Sequence, residues 1–407
     1  MARNNNRRNK NRRRKGNKNK NKKKQQGFVP KFHQNSSIGV AGRYGGILEV
    51  SQNGYGFVRK LDYEFSMTKQ DPFLTPNEMK HYDLRAGLII EGEFEEDKQG
   101  NRHVYSIESI NGRNVDEWEK VTRFELQTPI MPVEQITLGH NPENIEMRVM
   151  DLVAPIGKGQ RSLIVAPPRT GKTVLLKMIA TSIIEHYPDI TTCVLLVDER
   201  PEEVTDFMRS TNAEVFASSN DKKTESHVRI SELALGYAKR KAEMGEDAVL
   251  LIDSITRMGR AYNAAQSNSG RTLSGGLDIR ALEIPKRIFG SARKIEGGGS
   301  LTIIATCLVE TNSRMDDLIF EEFKGTGNAE IHLDRKLMEK RIFPCMDINK
   351  SGTRKEDLLI DKADLNRLWI LRKVLAPMNV VDSMEFLLEK LKDAKDNTSF
   401  LAGMGGN

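Results

Sequence analysis

Residues 162–173 read SLIVAPPRTGKT, an apolar run that leads directly into a loop containing Gly, Lys and Thr. Ser162–Ala166 has the pattern of a short central strand, and residues 166–173 match the phosphate-binding motif G-x-x-x-x-G-K-[ST] with Ala in place of the first Gly. Gly171 lets backbone N–H groups turn toward phosphate oxygens at a helix N-terminus. Lys172 is then placed to reach the terminal phosphates, and the Thr173 hydroxyl to hold Mg²⁺. The stretch predicts a strand, a nucleotide-binding loop and a helix.

The chain after this loop has the pattern of an α/β domain. A helix is predicted from Lys172 to about Glu185, with Val174, Leu175 and Met178 at helical spacing on a stripe facing the core. Apolar runs at 192–198, 248–253 and 301–308 alternate with helical stretches such as 226–244. This order is typical of a mainly parallel sheet covered by helices. We predict such a domain over residues 147–407.

Two of the predicted strands end in carboxylates. Asp253 ends the run 248–253, which is where a P-loop enzyme places a residue that holds Mg²⁺. The run at 192–198 leads into a charged cluster that contains Asp198, Glu199 and Glu202. Hydrolysis requires a carboxylate that orients or deprotonates the attacking water. Spacing alone does not choose among these three.

Composition narrows the class of protein. The chain has 407 residues, of which 38% are hydrophobic and 29% charged, values typical of globular proteins. No apolar stretch approaches the roughly 20 residues that cross a bilayer, and the basic N-terminus lacks the apolar core of a secretory signal. The three cysteines, Cys193, Cys307 and Cys345, are isolated, which indicates neither a zinc site nor a disulfide framework. These features favour a reducing cytoplasm.

Positive charge is concentrated at the N-terminus. The net charge is +7, yet 15 of the 63 Lys and Arg residues precede the first acidic residue, Glu49, which leaves 48 basic against 56 acidic residues in the rest of the chain. Residues 1–45 contain too little apolar surface to form a core, so we predict a disordered basic tail. Such a tail is suited to bind polyanions, although it could serve only for solubility.

Residues 46–116 have the pattern of a small β-barrel, with short strands separated by turns, and resemble the cold-shock type of OB fold. In this segment a period of two places Tyr55, Phe57 and Arg59 on one strand face and Val58 on the other. We interpret the aromatic face as an open platform for stacking single-stranded bases, with Phe73 as a third ring. The alternative is that these rings form the barrel core. Residues 117–146, with three prolines, are predicted to be a connector.

Several segments, taken together and in order, resemble the Rho family of bacterial transcription termination factors. The similarity runs from about residue 46 to residue 397. It is carried by GYGFVR (54–59), the segment 151–173, VDERPEEVTDFMRS (197–210), LIDSITRMGRAYN (251–263), GRTLSGG (270–276), EEFKGTGNAEIHLDRK (321–336) and SGTRKE (351–356).

The resemblance implies a hexameric, ring-shaped RecA-like motor that binds nascent single-stranded RNA, hydrolyses ATP with Mg²⁺ and displaces RNA polymerase. It implies that Glu199 is the catalytic carboxylate, that Arg200 lies beside the nucleotide and that Phe343 stacks on adenine. Arg354 matches an arginine finger that a neighbouring subunit inserts, and Asp253 matches the Mg²⁺ ligand. Further ATP contacts are implied for Gly157, Lys158, Gly159, Gln160, Arg161, Ser162, Arg169, Thr170, Gly171, Lys172, Thr173 and Val174.

The resemblance also implies two RNA sites. The primary site on the barrel comprises Gly54, Tyr55, Gly56, Phe57, Val58, Arg59, Asp71, Pro72, Phe73, Asn101, Arg102 and His103. The secondary site lines the ring channel and comprises Arg271, Thr272, Leu273, Ser274, Gly275, Gly276 and Arg314.

The chain departs from the family pattern in three places. The basic tail stands where the family usually has a small helical bundle. His103 replaces a common aromatic phenol, which weakens the expected base selectivity of that pocket. Arg271 and Arg314 replace common lysines and offer a bidentate phosphate contact.

Two other functions remain compatible with parts of the sequence. One is a different RecA-like ring ATPase, such as a rotary ATP synthase catalytic subunit or a hexameric DNA helicase. The aromatic strand face argues against the rotary subunit, which has no need to stack bases. The other is an RNA-binding protein with a regulatory or inactive nucleotide site, against which the complete set of Lys172, Thr173, Glu199, Asp253 and Arg354 argues.

Overall fold

The computed structural model describes residues 40–60, 65–266 and 276–404. The predicted tail up to residue 39 and residues 271–275 of the predicted secondary RNA site lie outside the described residues. Among the described helices, none combines the length and the apolar composition needed to cross a membrane.

The N-terminal domain is a closed barrel with the strand order β1-β2-β3-β5-β4. Its core contains Leu48, Val58, Leu74, Ile90 and Val104, one from each strand. The strands are β1 (Val40–Val50), β2 (Gly56–Arg59), β3 (Phe73–Leu74), β4 (Ile89–Glu96) and β5 (Arg102–Ile110), and helix α1 (Pro76–His81) lies between β3 and β4. The predicted barrel is confirmed.

The barrel begins earlier than the sequence predicts. Strand β1 starts at Val40, within the segment 1–45 predicted to be a disordered tail. Its first half pairs with β4, from Val40 opposite Glu95 to Gly46 opposite Ile90. This half is exposed or half-buried up to Gly45, so it carries no alternating apolar pattern that could have revealed a strand.

The segment between the domains is held against the rest of the chain by short elements. Trp118 and Phe124 are fully buried, and the backbone N–H of Phe124 donates to the Glu243 carboxylate at 2.7 Å. The elements are α2 (Val115–Trp118), a 3₁₀ turn (Phe124–Leu126), β6 (Pro129–Ile130) and β7 (Gln135–Ile136). Strand β6 pairs with the strand Arg293–Ile295 of the large sheet, so the connector is part of the second domain's architecture.

The second domain is built on a mainly parallel sheet with the order β11-β10-β12-β14-β9-β15-β16. In β9, Leu163 and Val165 pack into the apolar cluster on one face, whereas Ile164 and Ala166 pack into the cluster on the other. Burial on both faces explains the continuous apolar runs in the sequence. The strands are β8 (Ile156–Gly157), β9 (Arg161–Ala166), β10 (Ile190–Glu199), β11 (Glu214–Ser219), β12 (Asp247–Asp253), β13 (Arg293–Ile295), β14 (Ser300–Leu308), β15 (Ala329–His332) and β16 (Gly352–Thr353).

Helices cover both faces of this sheet, which confirms the predicted α/β class. They are α3 (Ile145–Val153), α4 (Lys172–His186), α5 (Pro201–Ser210), α6 (Thr224–Glu243), α7 (Ile255–Ala265), α8 (Glu283–Phe289), α9 (Arg314–Lys324), α10 (Arg335–Glu339), α11 (Lys362–Leu375), α12 (Val380–Lys392) and α13 (Asn397–Gly403).

The barrel packs directly on α6 of the second domain. Glu49 of β1 accepts two hydrogen bonds from the Arg229 guanidinium, at 2.6 and 2.8 Å. Gly87 has a φ of +91°, and a Cβ on it would lie 2.1 Å from the carbonyl carbon of Gly236. Backbone therefore meets backbone at this contact, which leaves no room for a side chain.

Candidate functional sites

The phosphate-binding loop joins β9 to α4. Gly171, the residue before the helix, is left-handed with a φ of +84°, and Arg169 also has a positive φ of +66°. The Thr170 hydroxyl donates to the Pro167 carbonyl at 2.7 Å and holds the turn. Because Gly171 has no side chain to cap the helix, the first N–H groups of α4 remain available to an anion.

Lys172 lies between two buried carboxylates at the carboxyl ends of neighbouring strands. Its Nζ is 2.5 Å from Asp253 Oδ1, at the end of β12, and 3.1 Å from Glu199 Oε1, at the end of β10. Asp253 is 0% exposed and Glu199 2%. Burial lowers the pKa of Lys172, but the two carboxylates outweigh it and the net shift is upward. The structure therefore brings these three predicted residues together, with a charged ammonium at the centre.

The oxygens beside Lys172 fit a magnesium ion. The Thr173 hydroxyl donates to Asp253 Oδ2 at 3.0 Å, so a hydroxyl and a carboxylate lie side by side at the start of α4. Across the described ranges no group of three or more His, Cys, Asp or Glu residues could hold a metal by itself. Mg²⁺ is commonly held by one or two protein oxygens together with nucleotide phosphates, so this small donor set suits it.

Glu199 is the carboxylate, of the three considered from the sequence, that contacts Lys172. Burial raises the pKa of Glu199 to about 7, and the Asp253 charge adds to this, whereas Lys172 and Arg257 oppose it. Glu202 is exposed on α5 and Asp198 is half-buried with a positive φ of +56°. A carboxylate whose pKa lies near neutrality is suited to act as a general base.

Two further side chains at this site were missed by the sequence reasoning. Arg257, in the first turn of α7, has Nη2 3.3 Å from Glu199 Oε2 and also donates to the Asp198 carbonyl. The Thr306 hydroxyl of β14 donates to Asp253 Oδ1 at 2.8 Å. Arg200, predicted beside the nucleotide, is exposed at the start of α5.

Two cavities lie outside this cluster. The first, of about 390 Å³, is on the barrel, and the second, of about 430 Å³, adjoins the phosphate-binding loop. The second is lined by the predicted residues Thr170, Gly171, Val174 and Phe343, and its wall is mostly apolar. Phe343 is 46% exposed, so its ring is open to a stacking partner. A cavity of this kind next to a phosphate site suits a nucleotide base. Residues that line it without having been predicted include Leu333, Met338 and Cys345.

The predicted core-facing stripe of α4 is confirmed for Leu175, Ile179 and Ile183, which are buried, and for the half-buried Met178, which packs against the same core. It is wrong for Val174, which is 61% exposed and lines the cavity beside the loop. A helical stripe of apolar residues indicates one face of the helix, but it does not distinguish a packed core from an open apolar pocket.

The predicted ATP contacts Gly157–Ser162 lie at the wrong end of the sheet to contact nucleotide in the same subunit. They form the turn that enters β9, whereas the phosphate-binding loop leaves the other end of that strand. Six residues of strand span about 20 Å. Lys158 instead pairs with Glu134 and Asp247 at 3.0 and 2.8 Å. Closeness in sequence was misleading because the strand lies between the two segments.

Arg354 lies at this same distant end. It follows β16, which pairs antiparallel with β15, and its backbone N–H donates to the Asn328 carbonyl at 2.8 Å. Its side chain is exposed, and within the described part of the chain its guanidinium has no carboxylate within 4 Å. Arg354 therefore cannot reach the phosphate-binding loop of its own subunit.

The cavity on the barrel is lined by Phe57, Arg59, Asp71, Phe73 and Asn101, all predicted RNA contacts. Phe57, Arg59 and Phe73 are 8%, 6% and 3% exposed, so the predicted open platform is wrong and the site is a cleft. Ion pairs explain the difference, because Arg59 contacts both Glu49 and Asp71 at 2.6 Å and lies over the Phe57 ring. Met67, Thr68 and Lys69, which also line the cleft, gave no sequence signal.

Further predicted residues lie beside Phe73, one of the residues that line the cleft. The half-buried Tyr55 ring is 6.3 Å from Phe73, which in turn lies 5.1 Å from His103. Burial lowers the pKa of His103, but Glu78 and Glu95 outweigh it and the net shift is upward. Gly54, with a φ of +81°, forms the turn before Tyr55.

Other predicted primary-site residues support the cleft through the barrel itself. Val58 is in the barrel core, as predicted, and its N–H donates to the Pro72 carbonyl at 2.8 Å. A Cβ on Gly56 would lie 2.5 Å from Met79 Sδ, so a larger residue would not fit there. Arg102 pairs with Glu96 at 2.9 Å and also lines the cleft.

The described part of the predicted secondary site is small. Gly276 is exposed, and a Cβ on it would lie 3.8 Å from Met315 Cε, next to the exposed Arg314. Asp316 fixes this region by accepting from Arg260 at 2.8 Å and from Thr311 at 2.6 Å. The structure therefore places Gly276 close to the start of α9.

Comparisons with known proteins match both domains. Residues 44–116 match the family described as Rho termination factor, RNA-binding domain, and residues 146–353 match the ATP synthase alpha/beta family, nucleotide-binding domain. Among similar proteins is transcription termination factor Rho of Chromobacterium violaceum, 48% identical over 88% of this chain and 87% of that protein. The proteins of the same name from Aquifex aeolicus and Haemophilus influenzae are 49% and 47% identical, over 88% and 92% of this chain and 84% and 90% of theirs.

One solved structure shares the fold at lower sequence similarity. It is a prototypical ATPase from the type III secretion system of pathogenic bacteria, 21% identical, covering 68% of this chain and 85% of that one with a TM-score of 0.57. At this level of identity the match supports the fold alone.

Proposed function

The chain belongs to the Rho family of transcription termination factors, and on that premise we propose how its residues couple RNA binding to ATP hydrolysis. Its two domains make it an RNA-binding, ATP-dependent transcription terminator. We propose further that it acts in the cytoplasm as a ring-shaped homohexamer, translocates along nascent single-stranded RNA and releases the transcript from RNA polymerase. This proposal rests on the observation that one chain contains both the Lys172–Glu199–Asp253 cluster and a cleft lined by aromatic rings.

For hydrolysis, we assign the chemical roles from the geometry of the cluster. Lys172 and the N–H groups at the start of α4 bind the terminal phosphates of ATP, and Phe343 packs against the adenine. Glu199 accepts a proton from the attacking water. Mg²⁺, held by Thr173 and Asp253, would neutralise phosphate charge when bound. Arg257, paired with Glu199 at 3.3 Å, keeps that carboxylate oriented.

The raised pKa of Glu199 leads to a pH prediction. A general base acts in its deprotonated form, so we expect kcat/KM for ATP to fall as the pH drops below about 7, because this ratio reports the protonation of the free enzyme. Glu199→Gln should lower kcat by about 10²- to 10⁴-fold and abolish this pH dependence. ATPase rates of the native protein and of Glu199→Gln, measured at saturating Mg²⁺ from about pH 6 to about pH 9, check both expectations. Glu202→Gln is the matched control and should keep its activity. If Glu202→Gln lost activity while Glu199→Gln kept it, the assignment of Glu199 as the general base would be wrong.

For RNA binding, we propose that the cleft receives one base and that Tyr55 stacks on the next. The Phe57 and Phe73 rings supply apolar walls, and Asn101 and Arg102 line the rim. A narrow cleft suits single strands, since their bases are free to leave a stack.

Tyr55→Ala provides the test of this assignment. A stacked base contributes about 1 to 3 kcal/mol, so we expect RNA affinity to fall by roughly 5- to 150-fold, and the RNA concentration that half-activates ATPase to rise in parallel. Tyr105→Ala is the control, since Tyr105 is 59% exposed on the same barrel but lines a different cavity, with Glu78 and His81, whereas the Tyr55 ring is 6.3 Å from Phe73. Fluorescence anisotropy with a labelled cytosine-rich RNA measures affinity. Equal losses of RNA affinity in the two variants would show that Tyr55 does not contact the RNA as proposed.

In the hexamer, we propose that Arg314 and residues 271–276 grip the RNA backbone in the central channel. A grip on phosphate suits a motor that must move over any sequence. The basic N-terminal tail is proposed as an additional, salt-sensitive polyanion contact.

The ATP synthase alpha/beta match keeps another ring ATPase as the second candidate for the ATPase domain taken alone. The Rho RNA-binding match and the aromatic cleft favour the terminator for the whole chain. An RNA-binding protein with an inactive nucleotide site is disfavoured because all four residues are present: Lys172 contacts Glu199 and Asp253, and Asp253 contacts Thr173.

A further inference from the structure

We propose that Asn328 is a positioning residue for Arg354, and that together with Gln160 it aims this arginine at the nucleotide of a neighbouring subunit. The inference rests on the proposed role of Arg354 in trans. It concerns a segment, Gly157–Ser162, whose predicted contact with nucleotide in its own subunit is ruled out by its place in the fold.

Asn328 joins three pieces of backbone at the start of β15. Its side-chain Oδ1 accepts from Gln160 Nε2 at 2.9 Å and from the Arg161 N–H at 2.8 Å. Its main-chain carbonyl accepts from the Arg354 N–H at 2.8 Å and from Gln160 Nε2 at 3.2 Å. Its own N–H donates to the Arg161 carbonyl at 2.9 Å. Gln160, only 2% exposed, therefore holds both the side chain and the carbonyl that receives Arg354.

The residues on either side of Arg354 are also fixed. The Thr353 hydroxyl donates to the Pro155 carbonyl at 2.7 Å, and Glu356 forms a bidentate pair with Arg372 of α11, with one contact at 2.7 Å. The Arg354 guanidinium itself has no carboxylate partner in the described residues. A fixed backbone under an exposed, unpaired cation is the arrangement expected of a group that must reach outward in a defined direction.

The position of Asn328 separates this role from a direct effect on its own nucleotide site. Asn328 is next to Arg161 at the entry of β9, about a strand length, or roughly 20 Å, from the phosphate-binding loop. Loss of its hydrogen bonds should therefore impair the nucleotide site of the neighbour that receives Arg354, and leave its own site intact.

Asn328→Ala is expected to lower kcat of homogeneous rings by about 10- to 10²-fold, because small misplacement of a catalytic group has effects of this size. Asn328→Asp keeps the Oδ1 acceptor and should restore most of the rate. If Asn328→Ala fails to assemble, Gln160→Met, which removes the Nε2 donor at similar volume, carries the same expectation. A full rate in both Asn328→Ala and Gln160→Met would overturn the inference.

Mixed rings distinguish a loss of Arg354 positioning toward the neighbouring subunit from general damage to the variant subunit itself. Asn328→Ala subunits mixed with Lys172→Ala subunits should regain ATPase activity, since an intact loop then meets an intact arginine at some interfaces. No recovery would mean that the Asn328 defect lies in its own subunit, which contradicts the inference. Arg354→Ala mixed with Lys172→Ala is the reference. If the reference mixture recovers and the Asn328 mixture does not, only the Asn328 role fails; if the reference fails, the proposed trans role of Arg354 fails with it.

Discussion

Lys172→Ala is expected to lower kcat for ATP hydrolysis by about 10²- to 10³-fold, the usual effect of removing one preorganised group that stabilises developing charge. Lys172 Nζ already lies at the meeting point of Asp253 and Glu199, 2.5 and 3.1 Å away, at the start of α4. The change removes the cation that we propose binds the terminal phosphates. RNA binding should persist, because the cleft lies on the barrel and is built from different residues.

The same substitution leaves Glu199 and Asp253 buried without their shared cation. Breaking a buried ion pair destabilises a protein by about 3–5 kcal/mol. Protonation of Glu199, whose pKa is raised to about 7, would relieve part of this loss of stability. Activity and RNA affinity should therefore be measured well below the melting temperature of the variant.

Lys177→Ala on the same helix is the matched control for this prediction. Lys177 pairs with the exposed Asp206 and not with Glu199 or Asp253. It should retain near-native kcat. Loss of RNA affinity together with hydrolysis in Lys172→Ala, at a temperature where the protein is folded, would show that the two sites are not separable as we propose.

Arg354→Ala should assemble normally and lower kcat by about 10³- to 10⁵-fold, the range found for arginine fingers in other NTPases. The side chain is exposed and its removal disturbs no carboxylate partner among the described residues. Arg354 lies at the end of the sheet opposite its own loop, so the role that we propose for it requires the nucleotide of another subunit.

Mixing Arg354→Ala with Lys172→Ala subunits should restore part of the activity that each variant lacks alone. Arg367→Ala is the control, since Arg367 forms only a local pair with Asp364 on α11 and such pairs contribute little. Titration of one variant into the other, followed by ATPase rate, measures the recovery. Mixed rings as inactive as the two parent variants would show that Arg354 does not act at the nucleotide site of the neighbouring subunit.

The sequence was sufficient to predict most residues of the cluster around Lys172. Glycine and lysine spacing identified the loop, and the carboxylate that ends the run 248–253 identified Asp253, because parallel strands bring their carboxyl ends to one edge. The end of the neighbouring run left Asp198, Glu199 and Glu202 as candidates, and only the resemblance to the Rho family singled out Glu199. Thr306 was not predictable in this way. Its contact with Asp253 depends on β14 lying between β12 and β9, and strand order is not readable from local pattern.

Other differences have the same kind of cause. Gly157–Ser162 are near the loop in sequence but a strand length away in space, and Val174 lies on an apolar helix face that lines a cavity. The barrel face at Phe57 has the predicted alternation, yet ion pairs of Arg59 with Glu49 and Asp71 narrow it into a cleft. These pairs join residues from separate strands and loops, so no single segment contains the information.

The measurement that tests the central claim most directly is the rate of ATP hydrolysis by the full chain with cytosine-rich unstructured RNA, with single-stranded DNA of matching sequence, and with no nucleic acid. We predict strong activation by RNA and little by DNA, since the proposed motor couples RNA in its cleft and channel to the Lys172–Glu199–Asp253 cluster. Hydrolysis at the same rate in all three conditions would contradict this coupling and favour another ring ATPase. No hydrolysis in any condition would favour an RNA-binding protein with an inactive nucleotide site.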